Sequence, residues 1–169
     1  MSVELKPVEW LENERVLKGQ ISPYVREMFP SGITKVARDF HKEIPGYKMS
    51  PLKNHPRLAS MLGLGGIWVK DESNRLRLGS FKVLGGSFAI YQAIRDRLGM
   101  MDRALSFAEL TSPEFKEKLG DIVFAAATDG NHGRGVAWSA TQLGYRSIIY
   151  VHKMTSEARI DAIRKNGAE

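Results

Sequence analysis

Two short, unbroken apolar runs, residues 122–127 and 147–151, constrain the fold of this chain more than any other feature. Between them lie the loop Thr128-Asp129-Gly130-Asn131-His132-Gly133 and a segment in which Val136, Ala140 and Leu143 recur at helical spacing, closed by Gly144. Apolar runs without polar alternation suit parallel strands covered on both faces. After the second run, Thr155 is placed to cap a further helix. Ile160 and Ile163 would point inward, Arg164 and Lys165 fall in the last turn, and Gly167 follows. The β-α-β-α order predicts an α/β fold, a parallel sheet with helices on both faces. Two strands make a poor sheet by themselves, and the alternation calls for another strand after Asn166-Gly167-Ala168-Glu169. The fold is therefore expected to be incomplete in this chain.

The upstream residues are patterned more loosely. Pro7, Pro23, Pro30 and Pro45 break the first fifty into short pieces. Ile33, Val36, Ala37, Phe40 and Ile44 predict one helix, ended by Pro45-Gly46. Leu58, Met61 and Leu62 make a short helical face before Gly63, and Ile67-Trp68-Val69 is a β-prone run. Phe81, Leu84, Phe88, Tyr91, Ile94 and Leu98 then form one long helical stripe, with Gly99 where a C-cap glycine would sit. Ser112-Pro113-Glu114 reads as N-cap, first-turn proline and first-turn acid of a short helix carrying Phe115 and Leu119 inward, stopped by Gly120.

Composition removes several classes of function. The 169 residues contain no cysteine, which excludes disulfides, zinc–thiolate sites and thiol nucleophiles. No apolar run approaches membrane-spanning length, and the opening residues lack the basic-then-apolar layout of a signal peptide, so a cytoplasmic protein with no membrane partner is expected. The net charge of +6 would permit nucleic-acid binding, but lysines and arginines are interspersed with acids and no nucleic-acid motif fits. A solvated cationic surface is expected instead. His41, His55 and His152 stand alone, with no metal spacing to the acids, and Gly63, Gly65 and Gly66 precede a strand where a dinucleotide fingerprint would open a helix.

Four short blocks carry the chemistry: Ser50-Pro51-Leu52, Leu62-Gly63, Lys70-Asp71-Glu72 and Gly79-Ser80-Phe81-Lys82. The Asp-Gly-Asn-His-Gly loop is the fifth. Together, over roughly residues 50 to 169, they resemble the opening part of the second fold type of pyridoxal-phosphate (PLP) enzymes, the tryptophan synthase β/threonine dehydratase family. Within it, the loop looks most like that of the diaminopropionate ammonia-lyases, since dehydratases usually carry a serine or another small residue near Asp129. The resemblance implies that residues 1–85 belong to a larger domain and residues 86–169 begin a smaller parallel α/β domain. It also implies pyridoxal 5'-phosphate as cofactor, a small amino-acid substrate, and a homodimeric full-length protein. The expected activity is elimination of ammonia from 2,3-diaminopropionate to give pyruvate. A serine or threonine dehydratase on the same fold, or a non-catalytic truncated remnant, are the alternatives.

By the same resemblance Lys82 holds the cofactor, Asn131 bonds its ring hydroxyl, and Thr128, Asp129, Gly130, Asn131 and His132 hold the substrate. His132 is expected to support the loop without reacting. The local chemistry is consistent. An amine that must condense with an aldehyde is best held rigidly and partly desolvated. Lys82 opens an otherwise apolar helix beside Ser80, with Gly85 and Gly86 one turn on to admit a flat ring or another backbone. The plain reading of a lysine there is a solvated side chain at a helix start. Asn131 falls where a parallel strand hands over to a helix, the position at which such sheets bind ligands and free N–H groups favour a carboxylate. The plain alternative is that Asp129 or Asn131 simply caps that helix. Asp129, if burial raises its pKa, is also expected to act as a base on the cofactor face opposite Lys82.

Overall fold

A computed structural model describes residues 21–169; the break expected at Pro7 lies outside them. The chain divides into compact units at Ile33/Thr34. The first contains α1 (Pro23–Met28), opened by the Ser22-Pro23 pair that places proline in the first turn.

The helix predicted from Ile33 is α2 (Ile33–Glu43), which from Thr34 onward belongs to the second unit, with Phe40 and His41 buried. Next come β1 (Leu52–Asn54), α3 (Pro56–Met61) and β2 (Trp68–Lys70), and β1 pairs antiparallel with β2 from Leu52↔Lys70 to Asn54↔Trp68. The short apolar face expected around α3 is not a core face, since Leu58, Met61 and Leu62 are exposed while Ala59 is buried. Two three-residue strands bury too little to hold themselves together. A polar clamp secures this hairpin. Buried Arg75 donates to Glu72 (Nε–Oε2 2.6 Å), to the Lys48 carbonyl (2.7 Å) and to Ser50 Oγ (2.7 Å), while Lys53 pairs with Asp71 at 2.6 Å.

The long stripe becomes α4 (Lys82–Arg97), and it is buried over a wider arc than expected. Val83, Ser87, Ile90, Tyr91 and Ile94 are fully enclosed, Leu84, Phe88 and Leu98 partly, and Phe81 is exposed. On one side Phe40 of α2 stacks on Tyr91, with ring centroids 4.4 Å apart, and His41 Nε2 bonds the Leu84 carbonyl at 2.9 Å. Burial holds the His41 pKa below its ordinary value, partly opposed by that carbonyl.

Two short helices follow, α5 (Phe107–Thr111) and α6 (Pro113–Leu119). Ser112 caps α6 as predicted, accepting from Phe115 N–H, with Phe115 and Leu119 buried. The unpredicted α5 carries a complete capping box between Ser106 and Glu109. Its spacing, Ser-x-x-Glu, is legible in the sequence. The Ser106 N–H and the Arg103 guanidinium hold Glu109 down at a pKa of about 2. A depressed carboxylate pKa stabilises the fold above the unfolded value, and that stability is lost as pH falls through the folded one. Thermal melting should therefore weaken between pH ~4.5 and ~2 more in the wild type than in Glu109→Gln, which retains the cap contact without the charge. Parallel Tm–pH curves for the two proteins would contradict this.

The predicted β-α-β-α order then appears as β3 (Val123–Ala127), α7 (Asn131–Leu143), β4 (Arg146–Tyr150) and α8 (Glu157–Arg164), with β3 and β4 parallel from Val123↔Arg146 to Ala127↔Tyr150. Gly144 ends α7 in the left-handed region at φ 77°, which a side chain would strain. A third parallel partner begins at Ala168, which bridges Ser147, and Glu169 exchanges backbone hydrogen bonds with Ser147 and Ile149. Two expectations are corrected. β3 is covered on one face only within the described residues. Phe124 and Ala126 turn to the core while Val123, Ala125 and Ala127 are exposed. The cap residue of α8 is Ser156, without a side-chain cap bond, and Thr155 Oγ1 is buried with no partner.

The contact that matters most for the site is α4 against α7. A Cβ built on Gly135 would lie 2.9 Å from Val83 Cα and 3.3 Å from the Lys82 carbonyl carbon; one on Gly86 would lie 3.3 Å from Val136 N. Both helices use glycine where they cross, so their backbones touch and the Lys82 turn is seated directly on α7. Gly135→Ala should push the helices apart at a cost of about 1–3 kcal/mol, lowering Tm by several degrees in a melting experiment. An unchanged Tm would mean that the crossing is looser than this geometry.

Candidate active site

The helix bearing Lys82 starts where the sequence places it. Ser80 Oγ accepts the Lys82 N–H at 3.2 Å, so Ser80 does serve the first turn, although the helix N-cap position is Phe81. The Lys82 side chain is exposed, has no ion-pair partner among the described residues, and its ammonium lies 5.7 Å from the Phe81 ring centroid. The approach to it is strained. Leu76 and Arg77 both have positive φ (47° and 61°), uncommon for residues with side chains, ahead of Gly79 at φ 65°. The Arg75 clamp on Glu72, Ser50 and Lys48 holds this segment in place. Lys70-Asp71-Glu72 thus has a structural role: Glu72 anchors Arg75, and Lys70 reaches the Ser50 carbonyl. Arg75 itself was not singled out in the sequence. Its position three residues after Glu72 is the only signal.

The loop after β3 brings Thr128, Asp129, Gly130, Asn131 and His132 together at the C-terminal end of the strand and the start of α7. Thr128 N–H is tied to the Tyr150 carbonyl at 2.9 Å, which fastens the loop to β4. Helix capping does not occupy its polar side chains. The N-cap of α7 is Gly130, and no side chain caps the helix. Asn131 Oδ1 instead accepts from Arg134 Nη1 at 3.0 Å, and Asp129 Oδ2 from Arg159 Nη1 of α8 at 3.1 Å. His132 is exposed. Asp129 and Arg159 line a cleft of about 400 Å³ with His152, Met154, Thr155 and Ser156. A larger cleft of about 700 Å³, between Lys48, Arg77, Trp138 and Asn166, contains none of the predicted site residues.

These residues fit an aldehyde-bearing aromatic cofactor. Lys82 offers a primary amine that is exposed, not partly desolvated as the sequence reading expects, and Gly85 and Gly130 have open space where a Cβ would stand, so a flat ring can approach either backbone. The uncapped first turn of α7 leaves N–H groups for an anion. Among the described residues no cluster of histidines and acids could hold a metal ion.

Residues 44–169 match the family described as "Pyridoxal-phosphate dependent enzyme". The chain belongs to this family. Its fold is the second fold type of PLP enzymes, present in part, and pyridoxal phosphate is the family's cofactor. The sequence is similar to the diaminopropionate ammonia-lyase of Salmonella typhimurium, 52% identical over 130 residues that make up 77% of this chain and 32% of the relative. It is 41% identical to the Escherichia coli K12 enzyme of that name, over all of this chain and 40% of the relative. The solved structure of the E. coli enzyme in complex with D-serine superposes with a TM-score of 0.76 at 43% identity, covering 89% of this chain and 37% of that one. The chain thus spans about a third to two fifths of the curated relatives it matches.

Proposed function

We propose that the whole protein is a PLP-dependent carbon–nitrogen lyase that removes ammonia from 2,3-diaminopropionate. The observation that supports this most is Asp129 in the loop that opens α7, where dehydratases of the family usually carry a serine or small residue, in a chain 52% identical to a diaminopropionate ammonia-lyase. Bound pyridoxal phosphate supplies an electron sink for the α-carbon. The protein supplies the rest. Lys82 would hold the cofactor through its amine and, once the substrate amine has displaced it, would be free to take the α-proton from its own side. Asp129, on the loop side, takes it from the mirror-image isomer. Asn131 bonds the cofactor's ring hydroxyl, and the open N–H groups of residues 130–132, with Thr128 and His132 flanking, receive the substrate carboxylate. The β-amino group then leaves with its bonding electrons as ammonia. Water hydrolyses the remaining three-carbon unit to pyruvate and a second ammonia.

Under this reading residues 1–85 belong to the larger domain and 86–169 begin the smaller one, joined at the Lys82 turn. Exposed Leu52, Trp68 and Val69 on the β1–β2 hairpin offer apolar surface for a homodimer contact. No helix among the described residues is long and apolar enough to cross a membrane, in keeping with a cytoplasmic enzyme. A dehydratase on the same scaffold is less favoured, because Asp129 has no use in serine or threonine elimination from Lys82's side. The test is pyruvate release by the PLP-loaded whole protein from diaminopropionate, serine and threonine. The proposal expects diaminopropionate to lead in kcat/KM by at least about a hundredfold, and faster turnover of serine or threonine would replace it with the dehydratase.

A further inference from the structure

Resting on the reading of Asp129 as the base for one isomer, we propose that Arg159 is the positioning residue that aims its carboxylate. Among the described residues the Asp129 side chain has one polar partner, Arg159 Nη1 at 3.1 Å, and it does not cap α7. A carboxylate at the edge of a helix start, unheld, is free to turn toward the uncapped N–H groups, where it would compete with an incoming substrate carboxylate. Arg159 holds it away from them.

The helix that carries the arginine is held by packing. Arg159 lies in the first turn of α8, four residues before Ile163, so the two share a helix face. Ile163 is buried, and its Cδ1 lies 3.3 Å from where a Cβ on Gly133 would stand. Glycine at 133 lets α8 come down onto the start of α7, which carries Arg159 over the Asp129–Gly130 corner. Asp129 is about half exposed and Arg159 about two thirds, so the pair adds little to stability. Its contribution is direction.

The test compares Arg159→Met, Arg159→Lys and Asp129→Asn in the PLP-loaded whole protein with D- and L-diaminopropionate. Arg159→Met should lower the D-to-L ratio of kcat by about tenfold to a hundredfold with KM for the D-isomer little changed, and Arg159→Lys should recover most of that ratio. In the Asp129→Asn background, Arg159→Met should cost nothing further. In the cofactor-free protein, the Asp129 carboxyl carbon-13 resonance should move in Arg159→Met and stay near its place in Arg159→Lys. If Asp129→Asn collapses D-isomer turnover while Arg159→Met leaves the ratio and the resonance alone, the positioning role is wrong and the base survives. If Asp129→Asn spares the D-isomer, the reading of Asp129 itself fails.

Discussion

Lys82→Ala is expected to abolish turnover of both isomers of diaminopropionate, by at least about three orders of magnitude, and to remove the visible absorption of lysine-held cofactor. The size of the effect follows from the site. Lys82 is the one amine at the start of the helix that crosses α7 backbone to backbone, and the Arg75 clamp, the strained Leu76–Arg77 pair and the Ser80 contact all fix where that helix begins. Among the described residues no other lysine has this placement. Lys70 is committed to the Ser50 carbonyl and Lys53 to Asp71. The variant should fold, since Lys82 is exposed and alanine favours helix. Turnover retained within tenfold in Lys82→Ala would remove the lysine from the mechanism.

Asp129→Asn should divide the two isomers. A planar cofactor has two faces, and an amine attached from one side reaches the α-proton of one enantiomer only. Asparagine keeps an oxygen for Arg159 to hold but is no base, so D-isomer turnover should fall by about 10²–10⁴ while the L-isomer loses far less. The absence of any capping bond from Asp129 sharpens the comparison, because loss of a helix cap cannot account for a drop. Small, equal losses on both isomers would leave Asp129 a structural residue and weaken the ammonia-lyase assignment with it.

Much of this arrangement is legible in the sequence, for identifiable reasons. The β3-α7-β4-α8 order follows from apolar runs and helical spacing that nothing downstream overrides, and the Ser112 cap and the Gly144 stop are local chemistry. The Gly-Ser-Phe-Lys and Asp-Gly-Asn-His-Gly blocks, which the proposed function makes its site, are legible because each sits at the start of a helix. What pattern does not carry is which partner a polar group chooses. Arg75, Arg134 and Arg159 read as surface charge in the sequence, yet one is buried in the clamp behind Lys82 and two grip Asn131 and Asp129. Helix-capping rules allow Asp129 or Asn131 to serve α7 as the plain alternative, but arginines from the same helix and from α8 outcompete its N–H groups. The exposed faces of α3 and β3 escape for a related reason. Apolar spacing says which residues share a face, and not whether anything covers it.

The most direct measurement is the site of cofactor attachment. The PLP-loaded whole protein, reduced with borohydride and digested, should carry its pyridoxyl label on the peptide containing Gly79-Ser80-Phe81-Lys82, read by mass spectrometry, with no other lysine modified in stoichiometric amount. A label on another lysine, or a reducible adduct that persists in Lys82→Ala, would contradict the assignment of Lys82 on which the rest of the site is built.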